Sequence, residues 1–309
     1  MKTSKLLFVL ALFPQISFAT DPDTVVVRMS SVIKLTLVQA SVDKQEGFYI
    51  LDTGTPDLVL NRTYFDGELS EKVFYGINDE FLDIRTKYVD LRIGDFEVRV
   101  KAKIIDFSAI ESLTGVPILG AIGNDAFKDC EIVFDYVFNN EFTIYRLDEN
   151  GNPLNRKALH QSPSQTLPFL NKGSMPSVLA CIGGQSVRLG LDSGAGANLV
   201  DKRKKSPFGC CLKDLGKKRL RGFGAAVEMT PFAEISGLAV GEIHCKPMQA
   251  FVTSLHQFNS DLKGPDIDGI MGYEFLSRYR TAINFRKKEV YIWDTDYVQQ
   301  QLADAQAGK

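Results

Sequence analysis

Along most of the chain, apolar residues alternate with polar ones at a period of two, in short runs rich in Val, Ile, Phe and Tyr. Gly, Asn and Asp punctuate the runs, which is the pattern of half-buried β-strands joined by turns. The clearest runs cover residues 25–29, 33–38, 88–93, 96–105, 178–182 and 290–293. Helical patterning is scarce. It predicts short helices after Gly123 and Gly272 and a polar, fraying tail over 297–307. The chain reads as all-β.

The runs recur in order. GFYILDTGTPDLVL, ending at Leu60, is matched by SVRLGLDSGAGANLV, ending at Val200. LRIGDFEV (Leu91 to Val98) is matched by LAVGEIHC (Leu238 to Cys245), and the stretch from Ala121 to Tyr145 by that from Ile270 to Trp293. The offsets are 140, 147 and 149 residues. Three collinear matches imply two copies of one β-rich unit. The expected organisation is a leader over 1–19, a first lobe over 20–147, a polar linker over 148–165, a second lobe over 166–296 and a tail over 297–309.

Composition changes this picture little. The 309 residues are 44 % hydrophobic and 24 % charged, with net charge −2, so neither disorder nor a nucleic-acid-binding polycation is expected. The N-terminus is a separate object. Lys2 and Lys5 precede an apolar run from Leu6 to Phe13, and Ser17-Phe18-Ala19 is a small-x-small ending. That is the layout of a secretory signal peptide cleaved after Ala19, which predicts a periplasmic or secreted protein. The run is too short to span about 30 Å of hydrocarbon, so no stable membrane insertion is expected after cleavage. Export permits disulfides, and five cysteines leave at least one thiol free or paired between chains. Cys130 and Cys181 sit in apolar strand-like runs and are expected to be buried. A bridge from Cys210 or Cys211 to Cys245 remains open.

The chemistry concentrates in the first repeat match. Asp52-Thr53-Gly54 and Asp192-Ser193-Gly194 each place a carboxylate at a strand end, followed by a small hydroxyl residue and a glycine. Glycine lets the backbone turn and approach closely where a Cβ would clash. A single Asp-Thr-Gly is common turn chemistry. Two at equivalent places of a duplicated unit point to a paired site.

With these motifs, and with Ala121-Ile122-Gly123 and Ile270-Met271-Gly272 downstream of them, nearly the whole chain after residue 19 resembles the aspartic protease superfamily of pepsins and retroviral proteases. The segments ILGAIGNDAF and DGIMGYEFLSRYRTAINF look like bacterial members of its retropepsin-like group. The resemblance implies a duplicated acid protease fold of two β-barrel-like lobes, with the active site in the cleft between them. It implies that Asp52 and Asp192 are catalytic and share one proton around a water, the dyad behaviour that general principles already ascribe to aspartic proteases. Thr53, Gly54, Thr55, Ser193, Gly194, Gly123 and Gly272 would support them. It also implies flaps, for which Phe74-Tyr75-Gly76 and Gly222-Phe223-Gly224 are the candidates. The chain departs from the family in lacking a clear pepsin-type flap sequence and in having Pro56 directly after Thr55. Thr55 follows the first motif where Ala195 follows the second. A hydroxyl favours the charged form of a neighbouring carboxylate, so Asp52 is expected to be the ionised partner and Asp192 the protonated one.

Other classes fare worse. His160, His244 and His256 have no metal-ligand spacing, no H-E-x-x-H or G-x-S-x-G occurs, and the Gly222 region lacks a dinucleotide fingerprint. Residues 202–221 hold nine Lys or Arg against one acid, Asp214, the composition of a solvated loop or of a surface for anions. The expectation is an exported, monomeric aspartic endopeptidase that acts on peptide or protein substrates, with no cofactor, no metal and no nucleic acid. A non-catalytic peptide-binding or assembly protein on the same scaffold is the alternative. A two-carboxylate glycosidase is disfavoured by the symmetry of the motifs.

Overall fold

The structure is a computed structural model and describes residues 23–69, 74–75, 81–82, 84–155, 162–173, 175–204, 208–221, 227–261 and 263–294. The expected leader and polar tail lie outside the described residues.

Strands form where the alternation is strongest. In Arg85–Ile93, Val89, Leu91 and Ile93 are buried while Tyr88, Asp90 and Arg92 face out. Phe96–Ile105 buries Phe96, Val100, Ala102 and Ile104 in the same way. The strand expected over 33–38 needs correcting. Ile33 and Lys34 have φ of 50° and 68° and form the turn between Ser30–Val32 and Leu35–Val42. Paired positive φ values suit the twist of a two-residue hairpin, but a β-branched residue seldom adopts them. Tertiary contacts override the local preference there.

Six strands close on themselves in the first lobe, in the order Leu35–Val42, Gln45–Leu51, Gly120–Ile122, Leu58–Asn61, Phe96–Ile105 and Arg85–Ile93. Ser41 and Val42 pair with Arg92 and Leu91 to complete the ring. The second lobe repeats the path through Met175–Ile182, Gln185–Leu191, Gly269–Met271, Asn198–Asp201, Met248–Thr253 and Val227–Ile235. Its last strand breaks at Ser236-Gly237, where Gly237 has φ of 70°, and resumes as Leu238–Val240 to pair with Met175–Ile182. The expected pair of all-β, barrel-like lobes is what the chain forms.

A third sheet joins the lobes, in the order Thr24–Arg28, Glu141–Arg146, Cys130–Asp135, Arg280–Asn284, Glu289–Trp293 and Gln165–Pro168. Each lobe gives three strands. The equivalent strands Cys130–Asp135 and Arg280–Asn284 meet antiparallel at the centre, Val133 opposite Ala282. A pseudo-two-fold axis therefore passes between them. Every residue of Cys130–Asp135 is buried, as in a strand covered on both faces.

Short helical turns follow both glycines as expected, Asn124–Phe127 and Tyr273–Leu276. Two further helices, Ser108–Thr114 and His256–Asp261, occupy matching places in the two repeats and were not anticipated. Elements this short complete too few turns to display a period. All five cysteines are free, so no bridge joins Cys210 or Cys211 to Cys245. Cys130 is buried as expected. Cys181 is exposed, because it shares the outer side of its strand with Leu179 while Ala180 and Ile182 face the core.

Lys172 is 1 % exposed. Its Nζ donates to the carbonyls of Asn259 at 2.6 Å and Gly264 at 3.2 Å, and to Asp266 Oδ1 at 3.3 Å. These bonds pin the chain just ahead of Gly269–Met271, which runs directly under the second Asp-x-Gly loop. Lys172→Met leaves buried acceptors without a donor. The expected loss is about 2–3 kcal/mol, read as a lower urea midpoint with faster amide exchange over residues 263–268.

Candidate active site

Asp52 follows the strand Gln45–Leu51, and Asp192 follows Gln185–Leu191. The Asp52 N–H donates to Ile122 O and the Asp192 N–H to Met271 O, both at 3.0 Å. These bonds extend the parallel pairing of each strand with Gly120–Ile122 or Gly269–Met271. Each aspartate therefore sits where a barrel strand ends against a second strand of its own lobe.

The next residue of each motif crosses to the other lobe. Thr53 Oγ1 donates to Leu191 O at 2.9 Å and accepts the Ser193 N–H at 2.9 Å. Ser193 Oγ donates to Leu51 O at 2.8 Å and accepts the Thr53 N–H at 3.1 Å. Both side chains are buried. Four reciprocal bonds thus lock the two loops together across the pseudo-two-fold axis.

The glycines explain themselves through what a side chain would strike. A Cβ on Gly54 would lie 2.6 Å from Asp192 Cγ, and one on Gly194 would lie 2.5 Å from Asp52 Cγ. Each carboxylate is packed against the opposite lobe's glycine, so the two acids face each other. Behind them, a Cβ on Gly123 would meet Asp57 O at 2.3 Å, and one on Gly272 would meet Ala195 O at 2.4 Å. The Asn124 N–H donates to Thr55 O at 3.0 Å and the Tyr273 N–H to Ala195 O at 2.8 Å. The structure thus brings Asp52, Thr53, Gly54, Thr55, Asp192, Ser193, Gly194, Gly123 and Gly272 into one place.

The flap candidates fare differently. Phe74–Tyr75 pairs with Phe81–Leu82 as an antiparallel hairpin, with Gly76 outside the described residues. Gly222, Phe223 and Gly224 also lie outside the described residues; the strands on either side of them in the sequence, Leu212–Arg221 and Val227–Ile235, pair antiparallel.

Burial and the neighbouring acid hold the Asp52 carboxyl well above the usual carboxylate range. Asp192 is raised by burial but is opposed by more donors. It takes N–H bonds from Gly194 at 2.8 Å and Ala195 at 3.2 Å, and a further one from Gly54 across the junction. Asp52 takes N–H bonds from Gly54, at 2.9 Å, and Thr55. The two acids face each other, and the upward shift is the stronger on Asp52. That direction runs against the expectation drawn from Thr55, which made Asp52 the ionised partner. Thr55 contributes its backbone N–H, which Ala195 supplies equally, so the hydroxyl does not set the asymmetry. Backbone donors and the deeper burial of Asp52 set it.

Some supporting side chains escaped the motif reading. Asn124 Nδ2 donates to Thr53 O at 2.7 Å, and Asn198 Oδ1 accepts the Gly272 N–H at 2.9 Å. Each is a polar residue where the other repeat has an apolar or aromatic one, Leu58 for Asn198 and Tyr273 for Asn124, and that mismatch was the available signal. Lys34 Nζ donates to Glu274 Oε1 at 2.5 Å, which carries the Ile33–Lys34 turn onto the second lobe. Tyr273 packs edge-on against Tyr136 with ring centroids 5.5 Å apart. No sequence pattern marks these last contacts.

An all-β fold of two barrel lobes, with a facing pair of aspartates where they meet, defines a bilobal acid-dyad protein. Residues 178–275 match the family model of aspartyl proteases, a stretch that contains Asp192-Ser193-Gly194 and Gly272. Over that stretch the chain is similar to aspartyl proteases, and this supports a proteolytic role. No curated protein matches the chain.

The raised carboxyl has a cost in stability with a definite sign. A carboxyl whose folded pKa exceeds its unfolded value of about 3.9 favours folding below that value and loses the contribution as pH rises towards the folded pKa. Asp52→Asn removes the titration. The variant is expected to melt higher than wild type at pH 7, with the difference vanishing below roughly pH 4. Calorimetry at the two pH values checks it.

Proposed function

We propose that the protein is an exported aspartic endopeptidase. It hydrolyses an extended peptide or protein substrate held at the junction of the lobes, with no cofactor and as a monomer. The observation that carries this reading is that each carboxylate packs against the opposite lobe's glycine, within a cross-lobe lock that leaves neither loop free to withdraw. The ionised Asp192 removes a proton from a water set between the acids as that water attacks the peptide carbonyl. Protonated Asp52 hydrogen-bonds the carbonyl oxygen and polarises it. The tetrahedral diol then collapses, and the amine leaves with a proton returned from the dyad. The backbone N–H groups of Gly54, Gly194 and Ala195 are fixed before substrate arrives, so little reorganisation is needed as charge moves.

Incubation with a mixed peptide library across pH tests the reading. Asp52→Asn and Asp192→Asn are each expected to lower kcat/KM by at least about a thousandfold. Cleavage that survives either change would exclude the dyad, and no cleavage by wild type would favour the peptide-binding alternative. The pH profile is expected to be bell-shaped. Its acidic limb follows neutralisation of Asp192. Its basic limb follows loss of the Asp52 proton and is displaced above the usual carboxylate range.

Export rests on the Lys2 to Ala19 pattern. A chain produced with its N-terminus intact in a secreting bacterium is expected to be recovered outside the cytoplasm, beginning at Thr20. A cytoplasmic product that retains Met1 would overturn the localisation.

A further inference from the structure

Cys210 and Cys211 are adjacent on the turn Gly209–Cys211, which leads directly into the hairpin strand Leu212–Arg221. Their Sγ atoms are 3.1 Å apart. Cys210 is exposed and Cys211 half-buried, so a reagent reaches the first thiol and finds the second already in contact with it. The remaining cysteines are placed differently. Burial pushes the Cys130 thiol up to about 12 and the Cys245 thiol up to about 11, and Cys181 stands apart on the outer side of Met175–Ile182.

The pair also sits on a structural joint. The Cys211 carbonyl accepts the Ser236 N–H at 2.9 Å and lies 3.5 Å from Ser236 Oγ. Ser236 follows the returning hairpin strand Val227–Ile235, so these bonds close the foot of the hairpin. The backbone dihedrals of Cys211 set the direction of that carbonyl, which belongs to the next peptide unit.

We propose that Cys210 and Cys211 are a reversible dithiol–disulfide site, oxidised by soluble disulfides and coupled to the foot of the hairpin. The Cys210 thiolate attacks the oxidant RSSR, forming a mixed disulfide and releasing one thiolate, RS⁻. The Cys211 thiolate then attacks Cys210 Sγ, forming the Cys210–Cys211 bond and releasing the second RS⁻. The two cysteine protons end on the two RSH, so two thiols are oxidised and one disulfide is reduced. Neighbouring Cα atoms across a trans peptide are about 3.8 Å apart, below the roughly 4.4 Å at which ordinary disulfides begin. The ring is therefore strained and readily reduced, as in disulfides that switch rather than staple. Because closing the ring also resets the backbone dihedrals of Cys211, oxidation turns its carbonyl and weakens the Cys211–Ser236 bond.

The test uses the full chain and needs no substrate, so it stands apart from proteolysis. Reduced protein is treated with oxidised glutathione, quenched in acid, alkylated and digested with trypsin. The peptide of residues 206–213 contains both cysteines and no other. It is expected to lose two hydrogens, escape alkylation and recover both thiols with dithiothreitol. Cys211→Ser is expected to stop at a glutathione adduct on Cys210, since the resolving thiol is gone. A persistent adduct on wild type, two thiols that remain alkylatable, or a bond to a different cysteine would each overturn the proposal. Hydrogen exchange reads the coupling. The Ser236 amide is expected to exchange faster after oxidation in wild type and to be unaffected in Cys210→Ser, and equal rates in oxidised and reduced wild type would overturn the link to the hairpin.

Discussion

Everything at the centre of this protein depends on two hydroxyls that each reach into the opposite lobe. Thr53 and Ser193 are buried, and each both donates to a main-chain carbonyl and accepts a main-chain N–H across the junction. A buried polar group without a partner costs about 1–3 kcal/mol, so neither loop can retreat alone without stranding groups on the other. The lock is satisfied only when both loops are in register. That register presses each aspartate against the opposite glycine and the two carboxyls against each other.

Symmetry in the backbone does not give symmetry in charge. The two loops have the same path, the same strand beneath them and the same glycine behind them, yet Asp52 is deeper and Asp192 collects more N–H groups. With two acids in contact only one ionises readily, and small differences in donor count decide which. The lobes differ again in how they brace the loops. Asn124 supports the first from outside its glycine, and Asn198 holds the second through the Gly272 N–H. Duplication supplied the frame, and divergence of single side chains made its halves unequal.

Contacts between the lobes extend beyond the lock. The turn at Ile33-Lys34 holds a backbone conformation that Ile seldom takes, and a Cβ on Gly196 would lie 3.4 Å from Ile33 O. Lys34 pairs with Glu274 one residue beyond Tyr273, which packs on Tyr136. A half-exposed ion pair of this kind is worth under about 1 kcal/mol. Its service is to orient the first lobe's turn over the second lobe's loop.

The sequence by itself determined the β-class, the duplication and the identity of the paired motifs. Period-two burial, glycine punctuation and a repeated Asp-hydroxyl-Gly are local properties, visible wherever one repeat is aligned with the other. Short elements such as Ser108–Thr114 were illegible because too few residues carry their pattern, and the Ile33 turn because a long-range contact overrides its propensity. Only the tertiary structure made the two acids unequal. Thr55 and Ala195 differ in side chain, but the groups that reach the carboxyls are backbone N–H donors, which every sequence carries and only a folded loop can aim.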